Sequence, residues 1–552
     1  MRTPLIASLL LALTACAGPA EPMSKPTASR WDHAYGGADK SADHRLLSLR
    51  EQIAPQFRQL DYYDPTTGRS MAYNLYLPPH YDPNTAYPLV LFMADASTTG
   101  KGVMAPLKQG YGGILWATPE SQAKHPCIVL VPSFQGPANA VNDDWQVSEE
   151  VGMAYRLLNQ VVARYNADRQ RLYTTGQSMG GMIAFYLNAT HPDLFAAALF
   201  VGSQWDIKVL APLAKKSFLY VVSAGDDKAA GGMAQVGKLL DEKGVNYGQT
   251  QFSARLPQAQ QDAATRALLA QGKAINFIRF DKDTVAPAGT DSPGAEHMYS
   301  FDHAYLLTPA RDWLFQQRLT QGVGALYQRG QQAQDPQTAL FYYRQAAQQG
   351  DGLAAYRLAQ AYAEGRGVPQ DMTQALAWYQ LAIERHIPNA MLDLGIRYLK
   401  GQGVPQDYSP ALDLFSEAWQ LGDMKAGRYL GILYEEGLGV KPDYLLAQDY
   451  YQQAHAAGDI TAAARLGWLY ERGLGVPQSD AEALRWYRAA APSLDEAARN
   501  IHPRVLALVK LGQFYETGRS VPTDRQQARR WYQLAAQDRD PTALAALARL
   551  GS

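Results

Sequence analysis

The chain has 552 residues, with 51 Lys+Arg against 52 Asp+Glu and a formal net charge of −1. At ~150 residues per domain this exceeds a single core. The 47% hydrophobic and 19% charged residues exclude a largely disordered chain, and the even charge excludes a nucleic-acid binder that works by bulk electrostatics.

The N-terminus reads as a targeting segment. Arg2 precedes an apolar run from Leu5 to Leu13, too short to cross a bilayer of ~30 Å as a helix. The run ends in Leu13-Thr14-Ala15-Cys16, which resembles the lipobox of bacterial lipoproteins. The resemblance implies that residues 1–15 are a signal peptide and that Cys16 becomes a diacylated N-terminus, because lipid transfer requires a thiol. Ala17, not Asp, follows; by resemblance to enterobacterial sorting this favours the outer membrane. Residues 16–45 are rich in Pro, Ala, Ser and Gly and read as a flexible tether. No later stretch has eighteen consecutive apolar residues. Lipidated Cys16 is therefore the expected membrane attachment, and the bacterial cell envelope, facing the periplasm, is the expected location.

From residue 46 to 318 the pattern changes. Short β-rich runs occur at Met71–Leu77, Leu89–Met93, Ile128–Val131, Arg171–Thr175, Ala197–Val201, Phe218–Val222 and Ile275–Phe280. Amphipathic stretches such as Glu149–Tyr165 and Met182–Thr190 lie between several of them. This alternation predicts an α/β domain with a mostly parallel sheet.

Within it, Leu172-Tyr173-Thr174-Thr175-Gly176-Gln177-Ser178-Met179-Gly180-Gly181 reads as a strand, a G-x-S-x-G-G turn and the start of a helix. Glycines are needed because the Ser of such an elbow sits on a sharp, strained turn. The turn lifts the hydroxyl above the sheet, and the helix N-terminus beneath it favours negative charge. Partners should follow in the order Ser, Asp or Glu, His. The next candidate acids, Asp226 and Asp227, stand just past the strand ending at Ser223. Asp227 is favoured and Asp226 is the alternative, while both could instead cap the following helix. For the base, His297 falls in a Gly/Pro-rich loop after the last strand and is favoured over His303, which sits at a helix start with Tyr305.

This domain resembles the esterase and peptidase-like α/β-hydrolases related to feruloyl esterases and polyhydroxybutyrate depolymerases. The resemblance rests on Thr67-Gly68-Arg69 before Tyr73–Pro78, on Tyr87–Phe92, on the elbow and on Asp312-Trp313-Leu314-Phe315. The spacing of His297, Phe301 and Tyr305 fits the family pattern and adds to the case for His297. The resemblance also implies an oxyanion hole built from the backbone N–H of Met179 and of Ala94. One departure stands out: the family usually has His-Gly after this strand, where the chain reads Met93-Ala94-Asp95-Ala96-Ser97.

The C-terminal part repeats. Gly365-Arg366-Gly367-Val368-Pro369 recurs at Gly401, Gly437 and Gly473 in steps of 36 residues, and again at Gly518 after 45. The longer step implies an insertion between Pro492 and Pro503, and Arg329–Asp335 looks like a degenerate first copy. Each copy reads as a helix pair. One helix ends at Gly, Val-Pro turns the chain, and Asp371, Ser479 or Asp524 caps the next helix with Gln374, Glu482 or Gln527 three residues on. Pairs this small must stack to bury a core. The pattern resembles the Sel-like repeats related to tetratricopeptide repeats, which implies a concave scaffold for a protein or peptide partner over residues 325–552.

Together these readings predict an α/β-hydrolase domain followed by an all-α solenoid. Ser178 is the expected nucleophile, His297 the base and Asp227 the acid, with an ester, or less favourably an amide, as substrate. Cys16 and Cys127 are too few for a disulfide framework or a Cys-based zinc site, and the ten His form no HExxH pair; no metal, cofactor or nucleic acid is expected. The alternative is a catalytically degraded hydrolase domain within an envelope interaction scaffold.

Overall fold

A computed structural model describes residues 38–552 except 137, 291–293, 495–501 and 552. Cys16, the signal segment and most of the tether lie outside the described residues, as does most of the insertion in the last long repeat.

The first part is a nine-stranded sheet in the order β1-β2-β4-β3-β5-β6-β7-β9-β8. The strands are β1 (Arg58–Asp64), β2 (Arg69–Tyr76), β3 (Tyr87–Met93), β4 (Ile128–Pro132), β5 (Ala167–Gln177), β6 (Ala197–Val201), β7 (Phe218–Ser223), β8 (Gly248–Phe252) and β9 (Ile275–Phe280). Only β2 runs against the others. Helices cover both faces: α1 (His44–Ile53), α2 (Ala105–Lys108), α3 (Pro119–Lys124), α4 (Glu149–Arg164), α5 (Met179–Thr190), α6 (Asp227–Glu242), α7 (Gln258–Leu269), α8 (Ala295–Leu306) and α9 (Thr308–Gln316). Strands β3, β4, β6 and β7 read as near-continuous apolar runs because both their faces are buried, whereas β5 opens on the polar Asp168–Arg171 before its buried half. The two strands missed in the sequence, β1 and β8, are the sheet edges. RQLDYYD and GQTQF carry too few apolar residues to announce themselves.

The last residues of the expected 16–45 tether are not tether. From Ala38 onward the chain packs on the sheet domain: the buried Lys40 pairs with Asp302 at 2.6 Å, and Asp43 accepts from the Tyr111 hydroxyl at 2.9 Å. An isolated lysine among small residues gave no sign that it would find a buried carboxylate far along the chain.

A buried ion pair ties α4 to the end of β1. Arg156 donates from Nε and Nη2 to Asp64 at 2.8 and 2.7 Å, and the Asp64 side chain is fully buried. Burial raises the Asp64 carboxyl, but the hydrogen bonds from Arg156 and Thr67 and the Arg156 charge outweigh it, and the net shift is downward. The pair's contribution is therefore complete above about pH 4 and is lost as pH falls through the depressed folded value. Arg156→Met leaves the carboxylate buried and unpaired, at an expected cost of ~3 kcal/mol. Chemical denaturation should show that deficit at pH 7 and a narrowing gap between the two proteins in acid.

The second part is a solenoid of antiparallel helix pairs from Val323 to Leu550. Gly365, Gly401, Gly437, Gly473 and Gly518 end their helices at φ between +63° and +74°, the left-handed geometry that admits a residue without Cβ. Asp371, Ser479 and Asp524 accept from the backbone N–H of Gln374, Glu482 and Gln527 at 3.0, 3.2 and 2.9 Å. The aromatic positions are core. Tyr451, Tyr487 and Tyr532 lie against Gly431, Gly467 and Gly512 and donate to Glu435, Glu471 and Glu516 at 2.6, 2.7 and 2.8 Å. Where the ring is Phe415, with no hydroxyl, the carboxylate position is Leu399, so ring and partner change together.

The solenoid docks on one end of the sheet domain. Leu319 and Gln170 exchange two hydrogen bonds of 3.0 Å, Arg169 pairs with Asp351, and Gln160 donates to the Leu421 carbonyl. All three sheet-domain residues sit on the last turns of α4 or the first residues of β5, opposite the end of β5 that carries Ser178.

Candidate active site

Ser178 links β5 to α5 at φ 49° and ψ −121°, a conformation that non-glycine residues rarely adopt. The glycines around it are required by contact. A Cβ on Gly176 would strike the Gly180 carbonyl, one on Gly180 the Met93 carbonyl, and one on Gly181 the Ser203 side chain. The turn is held from below by the Ser178 N–H to Val201 carbonyl bond of 3.1 Å.

Three side chains converge at the C-terminal ends of the strands. His297 Nε2 lies 2.8 Å from Ser178 Oγ, and His297 Nδ1 lies 2.6 Å from Asp226 Oδ2. A carboxylate at Nδ1 fixes the proton there, so Nε2 accepts from the serine hydroxyl. Asp226 is nearly buried, while the His297 side chain is 28% exposed and open to a substrate. This arrangement can take a proton from Ser178 and hold the resulting imidazolium.

The structure brings Ser178 and His297 together but corrects the acid. Asp226, not Asp227, faces His297. Asp226 is the N-cap of α6, in extended conformation, and its Oδ1 accepts from the Ala229 N–H at 3.2 Å while Oδ2 reaches His297. Asp227 is already in the helix, is exposed, and has no hydrogen bond to His297. His297 also differs from its expected loop setting: it lies in the first turn of α8, after Gly294 at φ 83°. His303 is structural. Its Nε2 donates to the Val285 carbonyl at 3.0 Å, and burial pushes its pKa down.

Several supporting groups were invisible in the sequence. Glu296, beside His297, accepts a hydrogen bond from Ser223 at the end of β7, so two successive residues pin α8 to the strand that delivers Asp226. The Ser300 hydroxyl bonds the His297 carbonyl at 2.7 Å, the Phe301 ring meets the imidazole edge-on at 4.9 Å, and Tyr305 bonds Thr175 of β5 at 3.0 Å. The spacing of His297, Phe301 and Tyr305 was the available signal; Glu296 and Ser223 had none.

The departure after β3 has a structural counterpart. Asp95 caps the short turn Ala96–Thr98 through Ser97 N–H at 2.8 Å, and its other oxygen accepts from Gln177 Nε2 at 3.0 Å. Gln177 precedes the elbow serine, so Asp95 ties this loop to the elbow. Ala94 is buried against Gly180, and Met179 opens α5, so both expected oxyanion donors flank the turn.

Comparison with known proteins adds to this geometry. Residues 65–206 match the Esterase family model. The Sel1 repeat model matches 322–351, 352–386, 388–423, 426–459, 460–491 and 505–540. The chain is 33% identical to feruloyl esterase B of Neurospora crassa over 76 residues, which is 13% of this chain and 26% of that protein, so the match spans about a quarter of the relative's length. Among solved structures, a thermostable esterase aligns at 22% identity with a TM-score of 0.40, covering 48% of this chain and 64% of its own. The protein c5321 of uropathogenic Escherichia coli aligns at 31% identity and a TM-score of 0.37, over 42% of this chain and 49% of its own. A Sel1 repeat protein from Oxalobacter formigenes aligns at 30% identity and a TM-score of 0.36, over 40% of this chain and 89% of its own.

Proposed function

We propose that this chain, an esterase-like domain joined to Sel1 repeats, is a serine hydrolase that cleaves a carboxylic ester. Ser178 attacks the ester carbonyl, His297 takes its proton and returns it to the leaving alcohol, and Asp226 holds the imidazole. Water then repeats the sequence on the acyl-enzyme. The observation that carries this reading is the continuous Ser178–His297–Asp226 hydrogen-bond relay, begun by a strained serine at a helix N-terminus. The backbone N–H groups of Met179 and Ala94 are the proposed oxyanion donors. A fluorophosphonate probe tests it: the protein should label once, at Ser178, and an unlabelled but folded protein would favour the degraded-scaffold alternative.

The proposal extends to location. Cys16 carries the lipid and the hydrolase works at the bacterial envelope, with the repeats holding a protein partner. Cys16→Ser should move the protein from the membrane fraction to the soluble fraction. Sedimentation with outer membranes after a salt wash would overturn this assignment.

The division of labour follows from where the parts meet. The repeats touch the sheet domain through Arg169 and Gln160, the connector through Gln170, and neither supplies any of the three relay residues. A chain ending at Arg318 is therefore expected to hydrolyse small activated esters with kcat close to that of the full chain. Its Tm should fall, because it loses the Arg169–Asp351 pair and the cover over the start of β5. A folded, inactive truncated protein would place part of the active site in the repeats.

A further inference from the structure

A cleft of about 740 Å³ lies where the two domains meet, within the ordinary size range of small-molecule sites. Arg164 and Arg169 line it from the sheet domain; Tyr327, Tyr343, Tyr356 and Arg357 line it from the first solenoid helices. Its walls are fixed. Arg169 is held by the buried carboxylate of Asp351, its guanidinium carbon sits 5.2 Å from the centre of the Tyr327 ring, and Gly324 abuts its backbone.

The lining is one-sided in charge. It holds three arginines and no Asp or Glu. Asp351 compensates Arg169, but among the described residues neither Arg164 nor Arg357 has a carboxylate at ion-pair distance. Arg164 lies over the Tyr165 ring at 5.4 Å; Arg357 donates to Gln360 Oε1 at 3.3 Å and to the Tyr327 hydroxyl and lies 6.0 Å from the Tyr356 ring, neutral partners that leave its charge uncompensated. The nearby Asp423 spends its carboxylate on the cap of its own helix, accepting from Lys425 N–H at 3.0 Å. Arg164 and Arg357 are both exposed residues, so a ligand can reach them from solvent.

The neutral groups complete a donor-rich surface. The Tyr356 hydroxyl accepts from Gln360 at 2.8 Å and the Tyr327 hydroxyl from Gln331 at 3.1 Å, which leaves their O–H protons to donate elsewhere. Burial pushes the Tyr343 phenol up to about 12, so it is a donor at neutral pH. In contrast, Gln328 lines the same cleft at 4% exposure, and its Oε1 has no partner. A buried unpaired acceptor costs stability unless something donates to it.

We infer that this cleft binds a ligand bearing an oxyanion, a carboxylate or a phosphate, held by Arg164 and Arg357, with a hydroxyl or amide donor on its body meeting Gln328. Guanidinium forks match both oxyanions, and phenol donors add to them. The ligand would bridge the two domains at the end of the sheet remote from Ser178. The inference does not depend on the hydrolase reading.

The test uses the full chain at constant ionic strength, so that general screening is held fixed. Calorimetric titration with pyrophosphate and with trialanine separates the two oxyanion sources, and trialanine amide is the uncharged-terminus control. At least one oxyanion probe should bind saturably at millimolar concentration and raise Tm, while the amide should not. Arg164→Gln and Arg357→Gln should each weaken that binding by about tenfold or more without changing kcat on a small ester, which also reports that each variant is folded. Arg357→Lys should fall between wild type and Arg357→Gln, because it keeps the charge but loses the fork. Binding of pyrophosphate alone identifies a phosphate ligand, and binding of trialanine alone a carboxylate. Absence of binding by both probes to the wild-type chain, or undiminished binding in both Arg→Gln variants, overturns the inference.

Discussion

Ser178→Ala is expected to lower kcat on a small activated ester by at least about 10⁴-fold and to abolish fluorophosphonate labelling, with little change in Tm. The loss is large because the hydroxyl is the attacking atom and nothing beside it can substitute. His297 would remain 2.6 Å from Asp226 and could at best activate a water that the elbow does not position. Some catalysis over water should survive, supplied by binding and by oxyanion donors that the substitution leaves alone. Stability should hold, because alanine carries the same Cβ strain as serine at φ 49° and gives up only one part-buried hydrogen bond to the imidazole. Single-turnover kinetics on the purified variant, with unfolding monitored in parallel, separates loss of chemistry from loss of fold. A variant within about tenfold of wild type would remove Ser178 as the nucleophile.

What could be read from the sequence follows a physical division. The central strands, the elbow and the repeats are local patterns: apolar runs buried on both faces, glycines forced by close contact, a period kept by helix pairs. Features that depend on distant pairing were hidden. Lys40 gives no hint of Asp302, and Glu296 gives none of Ser223, because each pair is made only when the sheet brings its members together. The edge strands β1 and β8 were hidden for a different reason: half-exposed strands need few apolar residues. At the acid, the competing ideas of helix cap and catalytic partner turned out not to exclude each other. Asp226 does both, one oxygen on Ala229 and the other on His297. Sequence alone could not choose between neighbours, since one residue of register at the start of α6 decides which carboxylate stays in the extended cap and which enters the helix.

That register makes the acid a sharp test. Asp226→Asn is expected to lower kcat by orders of magnitude, up to about 10⁴-fold, and Asp227→Asn by far less. Asparagine keeps the size of the side chain and remains a good N-cap, so α6 should stay in place through the Ala229 contact. What changes is the partner offered to His297 Nδ1. An amide that turns its N–H₂ toward the ring forces the proton onto Nε2, and Nε2 can then no longer accept from Ser178. An amide that turns its oxygen inward keeps the tautomer but loses the negative charge that stabilises the imidazolium. Either way KM should move little, since Asp226 is nearly buried behind the imidazole and does not touch substrate. Asp227 is exposed in the first turn of the helix, does not bond the imidazole, and contributes only its charge near the helix N-terminus, a small effect at an exposed site. Steady-state kinetics on the two asparagine variants, with Tm as the control for folding, gives the answer. Comparable losses in both would mean that the two carboxylates act as a pair, and a larger loss at Asp227 would mean that α6 starts one residue later in the working enzyme.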